Sequence, residues 1–93
     1  MFSQIPFEQK NIKKEDVIKE ILRVAIAAEF DAISLYEQLA AVSDREDIKK
    51  VFQDVASEEK THVGEFQTLL LREDKEQITK LEGGKKEVDE LLR

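Results

Sequence analysis

Two stretches of this chain repeat apolar residues at alternating steps of four and three, a rhythm that dictates two long helices packed on each other. The first stripe reads Ile18, Leu22, Ala25, Glu29, Ala32, Tyr36 and Leu39. The second reads Ile48, Phe52, Val55, Glu59, His62, Phe66 and Leu69. Residues so spaced share one face of a helix. Three of them do not belong on an apolar face: Glu29 in the first stripe, Glu59 and His62 in the second. A buried carboxylate without a partner costs several kcal/mol. Two of them, beside the chain's only histidine, call for a compensating cation, and a metal ion is the economical one.

The stripes set the organisation of the whole chain. Ninety-three residues make one small domain with little apolar area to bury alone, so self-association would add stability. Residues 1–13 are expected to form an N-terminal tail whose Phe2, Ile5 and Phe7 dock onto a surface. Glu15 and Asp16 suit the first turn of a helix, whose N-terminus favours anions, and this helix runs to about Val42. Ser43-Asp44-Arg45-Glu46 matches the capping box S-x-x-E, so a second helix is expected from about Asp44 to Arg72. Asp74 is placed to cap a short third helix that ends before Gly83-Gly84. The expected division is thus a tail over 1–13, a helical hairpin with a short third helix over 14–82, and a C-terminal tail over 83–93, in which Val88, Leu91 and Leu92 repeat some helical spacing and leave a fourth short helix open. The fold class is all-α.

Composition excludes several functions. There is no cysteine, which rules out disulfides, thiolate metal sites and cysteine nucleophiles. The net charge of −6 argues against nucleic acid as a partner and is compatible with cation attraction. The longest apolar run is far below the ~20 residues that span a bilayer. The N-terminus does not read as a secretory signal, so a cytoplasmic protein is expected.

The spacing also brings the polar triplet together. With the reversal near residues 43 and 44, Glu29 and Glu59 each lie roughly 21 to 23 Å from the hairpin tip. The two carboxylates then face each other, and His62 sits one turn from Glu59 on the same face. A glutamate on one helix with Glu-x-x-His on another is half of the ligand set of di-iron carboxylate bundles, which use four helices. Two copies of this chain about a twofold axis would supply four glutamates and two histidines around a four-helix bundle. Oxygen and imidazole ligands suit Fe, Mn or Zn, and a carboxylate-rich pair of metals favours iron. Tyr36, two turns from Glu29, is placed to hydrogen-bond a ligand carboxylate. Asp31 is a candidate for an outer, entry-side position. Glu58 and Glu65 point off the stripe and are read as solvated.

At these residues the chain resembles the encapsulated ferritins, short relatives of the rubrerythrin and ferritin-like group. The resemblance covers roughly residues 15–82 and rests on Ala-Ala-Glu29-Phe-Asp-Ala-Ile-Ser-Leu-Tyr36 and Ala-Ser-Glu-Glu59-Lys-Thr-His62. It implies that Glu29, Glu59 and His62 are iron ligands, with two iron ions at each dimer interface. It implies ferroxidase activity, the oxidation of Fe(II) by dioxygen. It further implies a ring of dimers, typically ten chains, working as cargo inside an encapsulin shell that stores the iron. Tyr36 falls where the family has a tyrosine beside the ligands. Two departures stand out: the charged end Gly83 to Arg93 is only faintly similar to the Gly- and Leu-rich docking peptide with which encapsulated cargo usually ends, and Ala28 replaces an acid on the entry side. Two other readings compete. One is a rubrerythrin-like peroxide-reducing protein, a group that normally carries a cysteine cluster. The other is a metal-free helical dimerisation module.

Overall fold

A computed structural model describes residues 13–93. Three helices follow in order, α1 (Lys14–Val42), α2 (Glu46–Glu73) and α3 (Lys75–Leu91), and the described residues contain no strand. The tail expected over 1–13, with Phe2, Ile5 and Phe7, lies outside the described residues except for Lys13. Helices α1 and α2 have 29 and 28 residues and pack against each other as a hairpin, as the two stripes require. Glu15 and Asp16 fall in the first turn of α1, and Glu46 and Asp47 in that of α2. All four place negative charge at the positive end of a helix dipole.

The reversal differs from the expected capping box. Helix α2 begins at Glu46, two residues later than expected, and its cap residue Arg45 makes no side-chain capping bond. The Ser43 hydroxyl oxygen instead accepts the Arg45 N–H at 3.2 Å, tightening the three-residue turn. With the cap at Arg45, Ser43 lies two residues before it, and its hydroxyl serves the turn rather than the first N–H groups of the helix. Asp47 takes over locally: its carboxylate accepts the Ile48 N–H at 2.8 Å and pairs with the Arg45 guanidinium at 2.7 Å. Arg45, followed by the Ile48 N–H, holds the Asp47 carboxyl below its ordinary value of 3.8. The stabilisation from this exposed pair is present above that range and lost as pH falls through it.

The seam of the hairpin is also turned from the expected stripes. The buried residues are Leu22, Ile33 and Ala40 on α1, and Ala56 and Leu70 on α2. Four of these five follow a stripe residue by one position, a rotation of about 100° around the helix. The apolar arc on each helix is wider than one stripe, reaching Ile26 and Ile33 on α1 and Ala56 and Val63 on α2. The helices meet along one edge of that arc, where Ala40 and Ala56 permit close approach. The other edge stays open. Ile21, Leu35, Leu39, Val42, Ile48, Val51 and Leu69 are all exposed along it.

Helix α3 starts as expected and ends later. The Asp74 carboxylate caps it by accepting the Gln77 N–H at 3.2 Å. The helix then continues through Gly83-Gly84 to Leu91, correcting the expected stop before residue 83. Neither glycine has a positive φ, so neither forms a left-handed cap. Helical glycine costs only about 1 kcal/mol relative to alanine. The residues beyond are good helix formers, and Lys85 and Asp89 pair at 2.9 Å across one turn. Helix α3 buries no residue of its own and meets the hairpin chiefly beside the end of α2. The radius of gyration is 17.0 Å, against roughly 12 Å for a compact chain of this length.

Candidate metal centre

The hairpin brings Glu29, Glu59 and His62 together in its middle. Helix α1 contributes Glu29; α2 contributes Glu59 and, one turn later, His62. One ligand atom from each lies within 4.8 Å of the other two. The His62 Nδ1 is 3.1 Å from Glu59 Oε2 and 3.4 Å from Glu29 Oε2. Both glutamate side chains are only 19% exposed, while His62 is 44% exposed. The imidazole therefore stands at the mouth of the site and the carboxylates lie beneath it.

Hydrogen bonding leaves this cluster incomplete. An imidazole Nδ1 carries at most one proton, and its geometry favours Glu59. Glu29 Oε2 is buried and has no hydrogen-bond partner. Buried polar atoms without a partner are rare and expensive. A cation between the three side chains would satisfy it, so the donor set fits a metal ion. Ligands about 2.1 Å from one ion in tetrahedral geometry stand about 3.4 Å apart, close to the 3.1 and 3.4 Å that separate His62 Nδ1 from the two carboxylates. One hairpin offers three ligands and an open fourth side. That side faces the exposed apolar edge, since Val55, His62 and Leu69 follow one another at steps of seven.

The other candidates take different positions. The Tyr36 ring stacks on Phe52, with centroids 5.9 Å apart and an interplanar angle of 20°. Among the described residues its hydroxyl makes no hydrogen bond to Glu29 or Glu59; the ring packs the seam one side of the site. Asp31 is exposed and lies outside the cluster. Glu58 and Glu65 are exposed, in keeping with their solvated reading. Sequence reasoning missed one feature of this region. Arg23 of α1 reaches Asp74 at 3.0 Å and ties the far end of the hairpin together. No short-range pattern signals a pair 51 residues apart.

A hairpin of two long helices that draws two glutamates and a histidine into its seam defines a ferritin-like domain. The rubrerythrin family profile matches residues 20–91, and the chain belongs to that family. It is 57% identical over 82 residues to a ferritin-like–encapsulin shell fusion protein of Pyrococcus furiosus, a match covering 88% of this chain. It is 43% identical over 56 residues, 60% of this chain, to the encapsulin nanocompartment cargo protein EncC of Myxococcus xanthus. These matches span 24% and 43% of those two proteins, so each relative is much longer than the shared part. The crystal structure of the encapsulated ferritin domain from Pyrococcus furiosus superposes with a TM-score of 0.83 at 52% identity. That superposition covers 96% of this chain and 93% of the crystallised one.

Proposed function

We propose that this protein is a ferroxidase, binding Fe(II) as its substrate at a site completed by two copies of the chain and transferring electrons to dioxygen. The observation that carries this reading is the orphaned Glu29 Oε2 within a three-ligand half-set. Two hairpins facing each other through their open apolar edges would supply four carboxylates and two imidazoles, enough for two iron ions. The exposed residues Leu35, Leu39, Val51 and Leu69 would be covered by the same step.

Each residue has a distinct task in this reading. Glu29 and Glu59 bring negative charge into a poorly solvated seam, which favours the extra positive charge of Fe(III) over Fe(II). His62 completes the ligand set with nitrogen, as suits iron better than calcium or magnesium. Tyr36, stacked on Phe52, stiffens the helix that carries Glu29, and is proposed to hydrogen-bond a ligand carboxylate once two copies assemble. Asp31, exposed on the far side of α1, is proposed to attract iron towards the entry side.

The names of the two relatives support an encapsulin shell as the setting. A ring of dimers, taken as ten chains, that lies in the cytoplasm and feeds iron into that shell is proposed with it. The test of the reaction is anaerobic loading with Fe(II) followed by mixing with dioxygen or with hydrogen peroxide. Ferric product should form with consumption of dioxygen, at a rate proportional to assembled sites. Fast turnover with peroxide and none with dioxygen would replace this function by a peroxidase. Native mass spectrometry tests the ring.

A further inference from the structure

The bend between α2 and α3 has no backbone cause. A single residue, Asp74, separates the two helices, and its own N–H still bonds to Leu70 O at 2.9 Å, as in a continuing helix. Neither proline nor glycine occurs between Thr68 and Lys80, and the segment Leu69-Leu70-Leu71-Arg72-Glu73-Asp74-Lys75-Glu76 is rich in helix formers. The break is confined to Asp74, at φ −130° and ψ 88°.

What holds Asp74 there is its side chain. One carboxylate oxygen accepts the Gln77 N–H at 3.2 Å, which favours a helix start over a helix interior. The other oxygen accepts a charge-assisted bond from Arg23 Nη2 of α1 at 3.0 Å. The carboxylate is nearly buried, with its side chain 12% exposed, and so it is poorly screened by solvent. Packing adds little. Leu81 of α3 faces Ile26, Leu70 and Leu71 across an open cavity of about 200 Å³.

We propose that the Arg23–Asp74 pair is a clasp that holds α3 bent against the hairpin, and that releasing it lets α2 and α3 run on as one straight helix. Residues 46–91 would then form a rod of about 69 Å. Helix α3 carries Leu81 and Val88, continued by its cap residue Leu92, along one exposed stripe, so the clasp decides where that apolar stripe is presented. The proposal concerns α3 alone and does not depend on iron chemistry.

The chain has no cysteine, so a spin-label pair at Lys50→Cys and Lys86→Cys reports the bend cleanly. Labelled full-length chains are diluted into unlabelled ones, and the distance is read by pulsed electron resonance. The parent pair should give one short distance. In Asp74→Ala, which removes both cap and clasp, the distance should lengthen towards about 54 Å, the separation on one straight helix. Arg23→Gln, which keeps the cap, should give a mixture of the two. Parent-like distances in Asp74→Ala would overturn the proposal. Should Asp74→Ala not fold, an unchanged distribution in Arg23→Gln overturns it equally.

Discussion

At the scale of single residues, the chemistry rests on the mismatch between Glu29 and its surroundings. Its Oε2 is buried without a hydrogen-bond partner, whereas Glu59 is paired with His62. An unsatisfied buried acceptor costs about 1–3 kcal/mol. Glu29→Gln should therefore raise the melting temperature of the metal-free protein while abolishing the stabilisation that added Fe(II) or Zn(II) brings. Calorimetry with and without metal checks both halves; a metal-induced shift equal to the parent's would remove Glu29 from the ligand set. Glu59→Ala and His62→Ala should each abolish most ferroxidase turnover while leaving the helices intact by circular dichroism. The described residues hold no second histidine to substitute, since the chain has one. Parent-like rates with iron in excess would refute the assignment.

At the scale of elements, the hairpin is decided by its smallest residues. Ala40 and Ala56 are 2% and 1% exposed and set how closely α1 and α2 approach. Ala56→Leu should destabilise by about 1–3 kcal/mol through overpacking, measured by urea denaturation. Gly64 presents the opposite case. A Cβ built there meets nothing within 4 Å, and the residue lies inside α2. Gly64→Ala should stabilise the chain by about 0.5–1 kcal/mol in the same assay. A loss on that substitution would mean that another copy approaches the helix closely at this point. The two expectations have opposite signs for changes to larger side chains: the open face at Gly64 leaves room for the Cβ, and the loss of glycine's backbone freedom supplies the gain.

At the scale of the whole molecule, one chain leaves much surface uncovered. It exposes 7598 Å², roughly 2,000 Å² more than a compact monomer of its mass. That excess is over twice the ~800 Å² which one partner contributes to a standard interface. The apolar edge beside Glu29, Glu59 and His62 accounts for part of it, and α3, which buries nothing, for another part. Closing two such edges without metal crowds four carboxylates at one interface. Divalent metal should relieve that repulsion, so association should rise with free metal concentration. Fe(II) and Zn(II) should act more strongly than calcium, for which imidazole is a poor ligand. Sedimentation with each ion measures this. Assembly indifferent to metal would sink the shared-site reading.

The sequence alone determined the helical hairpin and the meeting of Glu29, Glu59 and His62, because both follow from local periodicity and from equal distances to one reversal. It also determined the Asp74 cap, a bond that spans three residues. Tertiary structure decided what local patterns leave open. It selected Ile33, Ala40, Ala56 and Leu70 for the seam, since a wide apolar arc permits several rotations and only the packing of two helices chooses one. It moved the start of α2 to Glu46, because the chain reversal engaged the Ser43 hydroxyl first. It carried α3 through Gly83-Gly84, where two modest propensity costs are too small to stop a helix. And it joined Arg23 to Asp74, a contact between residues far apart in sequence, which exists only once the hairpin has closed.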